Sequence, residues 1–182
     1  VPPSVAAAVT LQLLLAATFV VIPVTAGVTG ARAQRAAEAE MAGQGHPATL
    51  LARHGIRFEE RPWEFALALG IAACLAIPAW LNLTANGTGR VLSWIVEPLV
   101  LLAVGSVTAG QVFAVRYTEA ALARSGDPAA RDVDARAVLA AANTGFPSWL
   151  RPLVLARFAL TTVGSLLVIV LLATPEAGAY FR

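Results

Sequence analysis

Four long apolar stretches, at residues 5–28, 63–83, 91–115 and 153–173, alternate with polar segments along the whole chain. Each holds about 20 residues or more, enough to carry a helix across ~30 Å of hydrocarbon at ~1.5 Å per residue. The polar segments are two long loops, 30–62 and 116–152, and one short turn at 84–90. This pattern predicts one all-α transmembrane domain over residues 1–182: an antiparallel bundle of four spanning helices, arranged as two tandem hairpins.

Short helices are expected in both loops. In 116–152, Asp127 suits an N-cap, Pro128 the first helical position and Gly145 the C-terminal cap. These signals predict a single helix over 128–143, with Asp132 and Arg136 spaced i, i+4 on it. In 30–62, the run "ARAQRAAEAEMAG" predicts that the first crossing continues as helix beyond the apolar stretch. A second helix is expected from Pro47 to Gly55, with His46 and His54 in capping slots. The loops echo each other: "GHPA" at 45–48 answers "GDPA" at 126–129, and "RP" recurs at 61–62 and 151–152. In the turn "NLTANGTGR", small polar residues and two glycines suit a tight reversal.

Composition agrees with a membrane protein: 58% of residues are hydrophobic, 13% are charged, and the mean hydropathy is +0.71. All 13 basic residues are arginine, which with the abundant alanine points to a GC-rich bacterial source. Five arginines lie in each long loop, against only Arg90 and Arg182 on the other side. By the positive-inside rule the loops are expected in the cytoplasm and both termini outside the inner membrane. Trp63 and Trp80 are spaced to sit at opposite interfaces of the second crossing. The segment preceding Ala31 to Ala33 lacks a basic start and is too long for a signal peptide, so a retained anchor is expected. Cys74, the single cysteine, reads as a small core residue.

Candidate chemistry is confined to polar residues within the apolar stretches. Glu97 stands out, because a carboxylate at the bilayer centre costs about 2.5–3.5 kcal/mol on insertion scales. Pro98 beside it suggests a bland role, with Glu97 capping a helix that starts there. At 100° per residue, Thr108 and Gln111 fall on the same face as Glu97, making one polar stripe. Gln12 is expected at the depth of Glu97, and Arg157 is expected to pair with Glu64 near Gln111, its stem being long enough to snorkel toward the surface. Gly105 and Ala109, and Ser106 and Gly110, are small residues four apart, suited to close helix packing or self-association.

What is missing narrows the function. No Walker loop, Gly-x-Ser-x-Gly elbow, Cys-x-x-Cys or His-Glu-x-x-His occurs, and the only two histidines, His46 and His54, lie in a loop. No cofactor and no metal site are expected. Each loop balances five arginines with four acids, which argues against nucleic-acid binding. The expected partners are the lipid bilayer and other membrane subunits or further copies of the chain. The leading expectation is a non-catalytic accessory subunit or scaffold. The alternatives are a small oligomeric transporter or channel built on the stripe around Glu97, and an enzyme acting on lipid or quinone.

Overall fold

A computed structural model describes all residues, 1–182. It is entirely helical and contains no strand. The elements are α1 (Pro3–Gly43), α2 (Thr49–Arg53), α3 (Pro62–Leu83), α4 (Gly87–Val112), α5 (Ala114–Arg124), α6 (Pro128–Arg131), α7 (Ala135–Thr144), α8 (Leu150–Leu172) and α9 (Pro175–Tyr180). Four of them, α1, α3, α4 and α8, are long and apolar enough to cross a membrane. The chain divides into two compact units.

The first unit comprises residues 1–22, 63–112 and 152–182. Its packing is read most simply from α3, where Ala68, Ala72, Leu75, Ala79 and Asn82 are buried. Their alternating steps of four and three form the seam of a helix packed in coiled-coil fashion. Alanine at most of these positions lets neighbouring backbones approach closely. One apolar cluster joins Val5, Ala8 and Val9 of α1 to Ala79, Val168 and Leu172, with Tyr180 and Phe181 packed against it. Another joins Leu15, Ala16 and Phe19 to Ala68, Leu75 and Val100. Cys74 lies off the α3 seam and is exposed, contrary to its expected core position.

Both α4 and α8 contain a π-helical turn, at Val100–Val104 and Leu160–Gly164, and the two segments are in contact. In α4 this turn lies just after Pro98, which cannot donate the hydrogen bond of an ordinary helical turn. The buried positions of α4 record the insertion. They run Gly89, Ser93, Glu97, Val100, then step by five to Gly105 and on to Thr108.

The turn between α3 and α4 is closed differently from the sequence reading. Its left-handed residue is Ala85, at φ 55°, and neither glycine of the segment has positive φ. Around it Asn86 N donates to Leu81 O at 3.0 Å and Ala85 N to Asn82 O at 3.3 Å, the hydrogen-bond pattern of a Schellman motif. Asn86 then caps α4 by accepting from Thr88 N at 2.9 Å. Because a Cβ is unfavourable in this conformation, Ala85→Gly is expected to stabilise the protein by about 1 kcal/mol. Thermal unfolding in mild detergent reads this directly; an unchanged or lower midpoint would contradict it.

The second unit comprises residues 23–62 and 113–151. Its core gathers Ala37 and Met41 of α1, Leu50 and Leu51 of α2, Leu122 of α5, Ala130 of α6, and Ala135, Val138 and Ala142 of α7. The expected continuous helix over 128–143 is two helices. Asp127 caps α6 by accepting from Ala129 N, whereas Asp134 caps α7 by accepting from Ala137 N, both at 3.0 Å. Two N-caps so close together stop one helix and restart the next, and Asp132 therefore is not on a helix with Arg136. The "GHPA" and "GDPA" segments also differ in outcome. Ala48 is the N-cap of α2 and makes no side-chain cap bond, so His46 does not cap it. His54 does follow the last helical residue, and its Nε2 lies 4.0 Å from Asp127 Oδ2.

Candidate functional site

Five polar side chains from four different helices meet inside the first unit. Gln12 of α1, Asn82 of α3, Ser93 and Glu97 of α4, and Ser165 of α8 are each no more than 1% exposed. Buried polar groups survive folding only when they find partners, and these largely supply one another's. Gln12 is the hub: its Nε2 donates to Ser93 Oγ and to Glu97 Oε1, each at 3.0 Å. Its Oε1 accepts from Asn82 Nδ2 at 3.4 Å. Asn82 Nδ2 also donates to Ser93 Oγ at 2.9 Å, and Ser93 Oγ donates to Gly89 O at 2.8 Å.

Gly89 is what allows this convergence. A Cβ at that position would lie 2.6 Å from Leu81 Cβ and 2.7 Å from Asn82 N, so only glycine lets α4 press against the end of α3. Ser165 stands beside the Glu97 carboxylate. Glu97 Oε2 and Ser165 Oγ are both buried without a hydrogen-bond partner.

Glu97 is not a cap. Its helix begins at Gly87, ten residues earlier, and runs through Pro98 without ending. Proline stands inside α1 and α3 as well, at Pro23 and Pro78, and in α4 a π turn follows it. Thr108 is buried and donates to Gly105 O at 3.1 Å, but Gln111 is exposed. The widened turn between Glu97 and Gln111 carries one extra residue, so later positions lag behind the simple 100° phase and the stripe does not continue to Gln111.

A second polar contact lies lower in the same unit. Arg157 donates to Gln111 Oε1, and its guanidinium stands 5.3 Å from the centroid of the Phe19 ring. The side chain is 4% exposed and lies against Gln111, next to the end of α4. Thr161 Oγ donates back to Arg157 O at 2.8 Å. Glu64 occupies the first turn of α3 and is half-buried.

The expected small-residue face is divided between two sides of α4. Gly105 is buried and approaches Thr161, while Ser106 is exposed and Gly110 has open space where a Cβ would be. Ala109 is intermediate.

Sequence reasoning passed over Asn82 by assigning it to the outer turn. The signal was present: Asn82 continues the four-and-three spacing of Ala68, Ala72, Leu75 and Ala79.

The resulting class is an all-helical chain with four helices capable of spanning a membrane and a sealed polar cluster among them. Comparison with protein-family models, characterised proteins and solved structures finds no match.

Proposed function

We propose that this chain is a multi-pass protein of a bacterial inner membrane that acts as a non-catalytic accessory subunit or scaffold of a larger complex. In this reading α1, α3, α4 and α8 cross as an antiparallel bundle, both termini lie outside and the arginine-bearing loops lie in the cytoplasm. Support comes from the inversion of ordinary surface chemistry on these helices. Leu14, Leu67, Ile77, Leu102, Val107 and Val170 are all exposed, while Gln12, Asn82 and Glu97 are buried. The observation that carries the scaffold assignment is the closure of the polar cluster. Gln12, Asn82, Ser93 and Glu97 are tied together by hydrogen bonds at no more than 1% exposure, as expected of groups that fix helix register and orientation.

The decisive experiment is native mass spectrometry of the protein extracted mildly from its own host, paired with Glu97→Gln. The amide retains an oxygen for Gln12 and gains a donor toward Ser165. A heteromeric complex that survives this substitution, with stability within about 1 kcal/mol of the parent, is the expected result. A closed homo-oligomer or a monomer would overturn the subunit reading.

One observation favours a second reading, a small oligomeric transporter. Glu97 Oε2 is a buried acceptor without a partner, and an intramembrane carboxylate is a default candidate for an ion or proton site. Under that reading Glu97→Gln abolishes flux in proteoliposomes while leaving assembly intact.

A further inference from the structure

The second unit carries a cleft of about 480 Å³ that the polar cluster does not involve, and the local backbone explains its chemistry. One wall is a face of α1, bearing Gln34, Arg35 and Glu38, which helical spacing sets side by side. The other is the non-helical segment before α3. Burial alternates there: Ile56 and Phe58 are half-buried, whereas Arg57, Glu59 and Arg61 are exposed on the cleft side. Two contacts hold this segment against α1. Phe58 N donates to Gln34 Oε1 at 3.1 Å, and a Cβ on Gly30 would lie 2.6 Å from Phe58 O.

The walls therefore present three guanidinium groups interleaved with two carboxylates. Arginine forks match the oxygens of a phosphate ester, and carboxylates match an ammonium. Glu38 Oε1 accepts from Gln34 Nε2 at 2.8 Å, which leaves its second oxygen and the Glu59 carboxylate to face a ligand, and one bearing only negative charge would meet both unfavourably. A ligand bearing both charges would satisfy both kinds of group. Both walls also adjoin spanning segments along the chain. The apolar part of α1 ends near Val28, and α3 begins at Pro62, followed by the exposed Trp63. That is the depth at which lipid head groups and interfacial tryptophans are found.

We propose that this cleft binds a phosphodiester bearing a primary ammonium, supplied as the head group of a zwitterionic membrane phospholipid. Arg35 and Arg57 donate to the phosphate, and Glu38 and Glu59 accept from the ammonium. The inference rests on the membrane reading above, so its test begins with carbonate extraction of host membranes. Release of the protein by carbonate would overturn the membrane reading and this one together.

With the protein retained in the membrane, the full chain is reconstituted in nanodiscs containing equal phosphatidylethanolamine and phosphatidylglycerol. Lipids remaining bound after mild detergent release are then counted by native mass spectrometry. The expected result is preferential retention of phosphatidylethanolamine, reduced at least about tenfold by Arg35→Gln with Arg57→Gln. Arg53→Gln, outside the cleft, is expected to leave retention unchanged. Glu59→Gln is expected to shift the preference toward phosphatidylglycerol. Preference for phosphatidylglycerol in the parent, or equal retention by the double variant with an unchanged melting midpoint, would overturn the proposal. Competition by free glycerophosphoethanolamine at concentrations equal to the lipid would overturn its lipid source.

Discussion

Replacing Gln12 by leucine is expected to destabilise the protein by about 3–5 kcal/mol, far more than most substitutions of an uncharged side chain. The size follows from what the leucine leaves behind. Asn82 still donates to Ser93, and Ser93 to Gly89 O, so that half of the cluster survives. Glu97 does not fare so well. Gln12 Nε2 is the donor to its Oε1, and its Oε2 already lacks a hydrogen-bond partner. The substitution therefore leaves the carboxyl group at 1% exposure with only Ser165 beside it.

The same reasoning predicts rescue. Adding Glu97→Met removes the stranded group, and replacing both partners with apolar side chains is nearly neutral in other buried pairs. The double variant is expected to recover most of the lost stability, giving a coupling of about 2–3 kcal/mol in a double-mutant cycle. Denaturant unfolding in mild detergent supplies all four corners of the cycle. Additive effects of the two substitutions would mean that Gln12 and Glu97 act independently, and the cluster would lose its meaning as a unit.

The second large effect is expected at Gly145→Ala. The sequence suggested a glycine chosen for a left-handed helix cap, but Gly145 has φ −77°, which any residue adopts. Its importance is contact. A Cβ there would lie 2.4 Å from both N and Cα of Ala33 and 2.8 Å from the carbonyl carbon of Arg32. All three are backbone atoms of α1, and no rotamer change can move them aside. The end of α7 would have to lift from α1, loosening the packing of Ala37, Val138 and Ala142. We expect a loss of about 3 kcal/mol or more, at the upper end of overpacking effects. Gly43→Ala provides the comparison, since nothing lies within 4 Å of a Cβ there, and it should change stability by less than about 1 kcal/mol. Similar thermal shifts for the two variants would refute the steric account.

These cases mark how far the sequence could be read. The four spanning candidates follow from apolar length alone, and α3, Pro62–Leu83, begins within one residue of its expected start. Glu97 was conspicuous because its charge contradicts its neighbours. Its role was less legible, since proline at 98 reads as a helix start, whereas α4 runs through it. Gln111 was rightly expected beside Arg157 but does not extend the Glu97 stripe, because phase arithmetic assumes an unbroken helix. Gly89 and Gly145 depend on distant segments of chain meeting them, and no local pattern announces such a meeting. The paired caps Asp127 and Asp134 were visible individually, yet deciding between one helix and two required knowing how Ala130 and Ala135 both reach the same core.

The two π turns also constrain how this chain can vary in length. A helix with one additional residue wound into a turn has its downstream half set by that residue, because removing it would rotate everything beyond by about 100°. In α4 such a deletion would swing Gly105 away from Thr161; in α8 it would turn Ser165 away from Glu97. Insertions and deletions are ordinarily absorbed by loops. Here five-residue stretches in the middle of two apolar helices are as intolerant of a change in count as any polar contact in the protein, although their own side chains carry almost no chemistry.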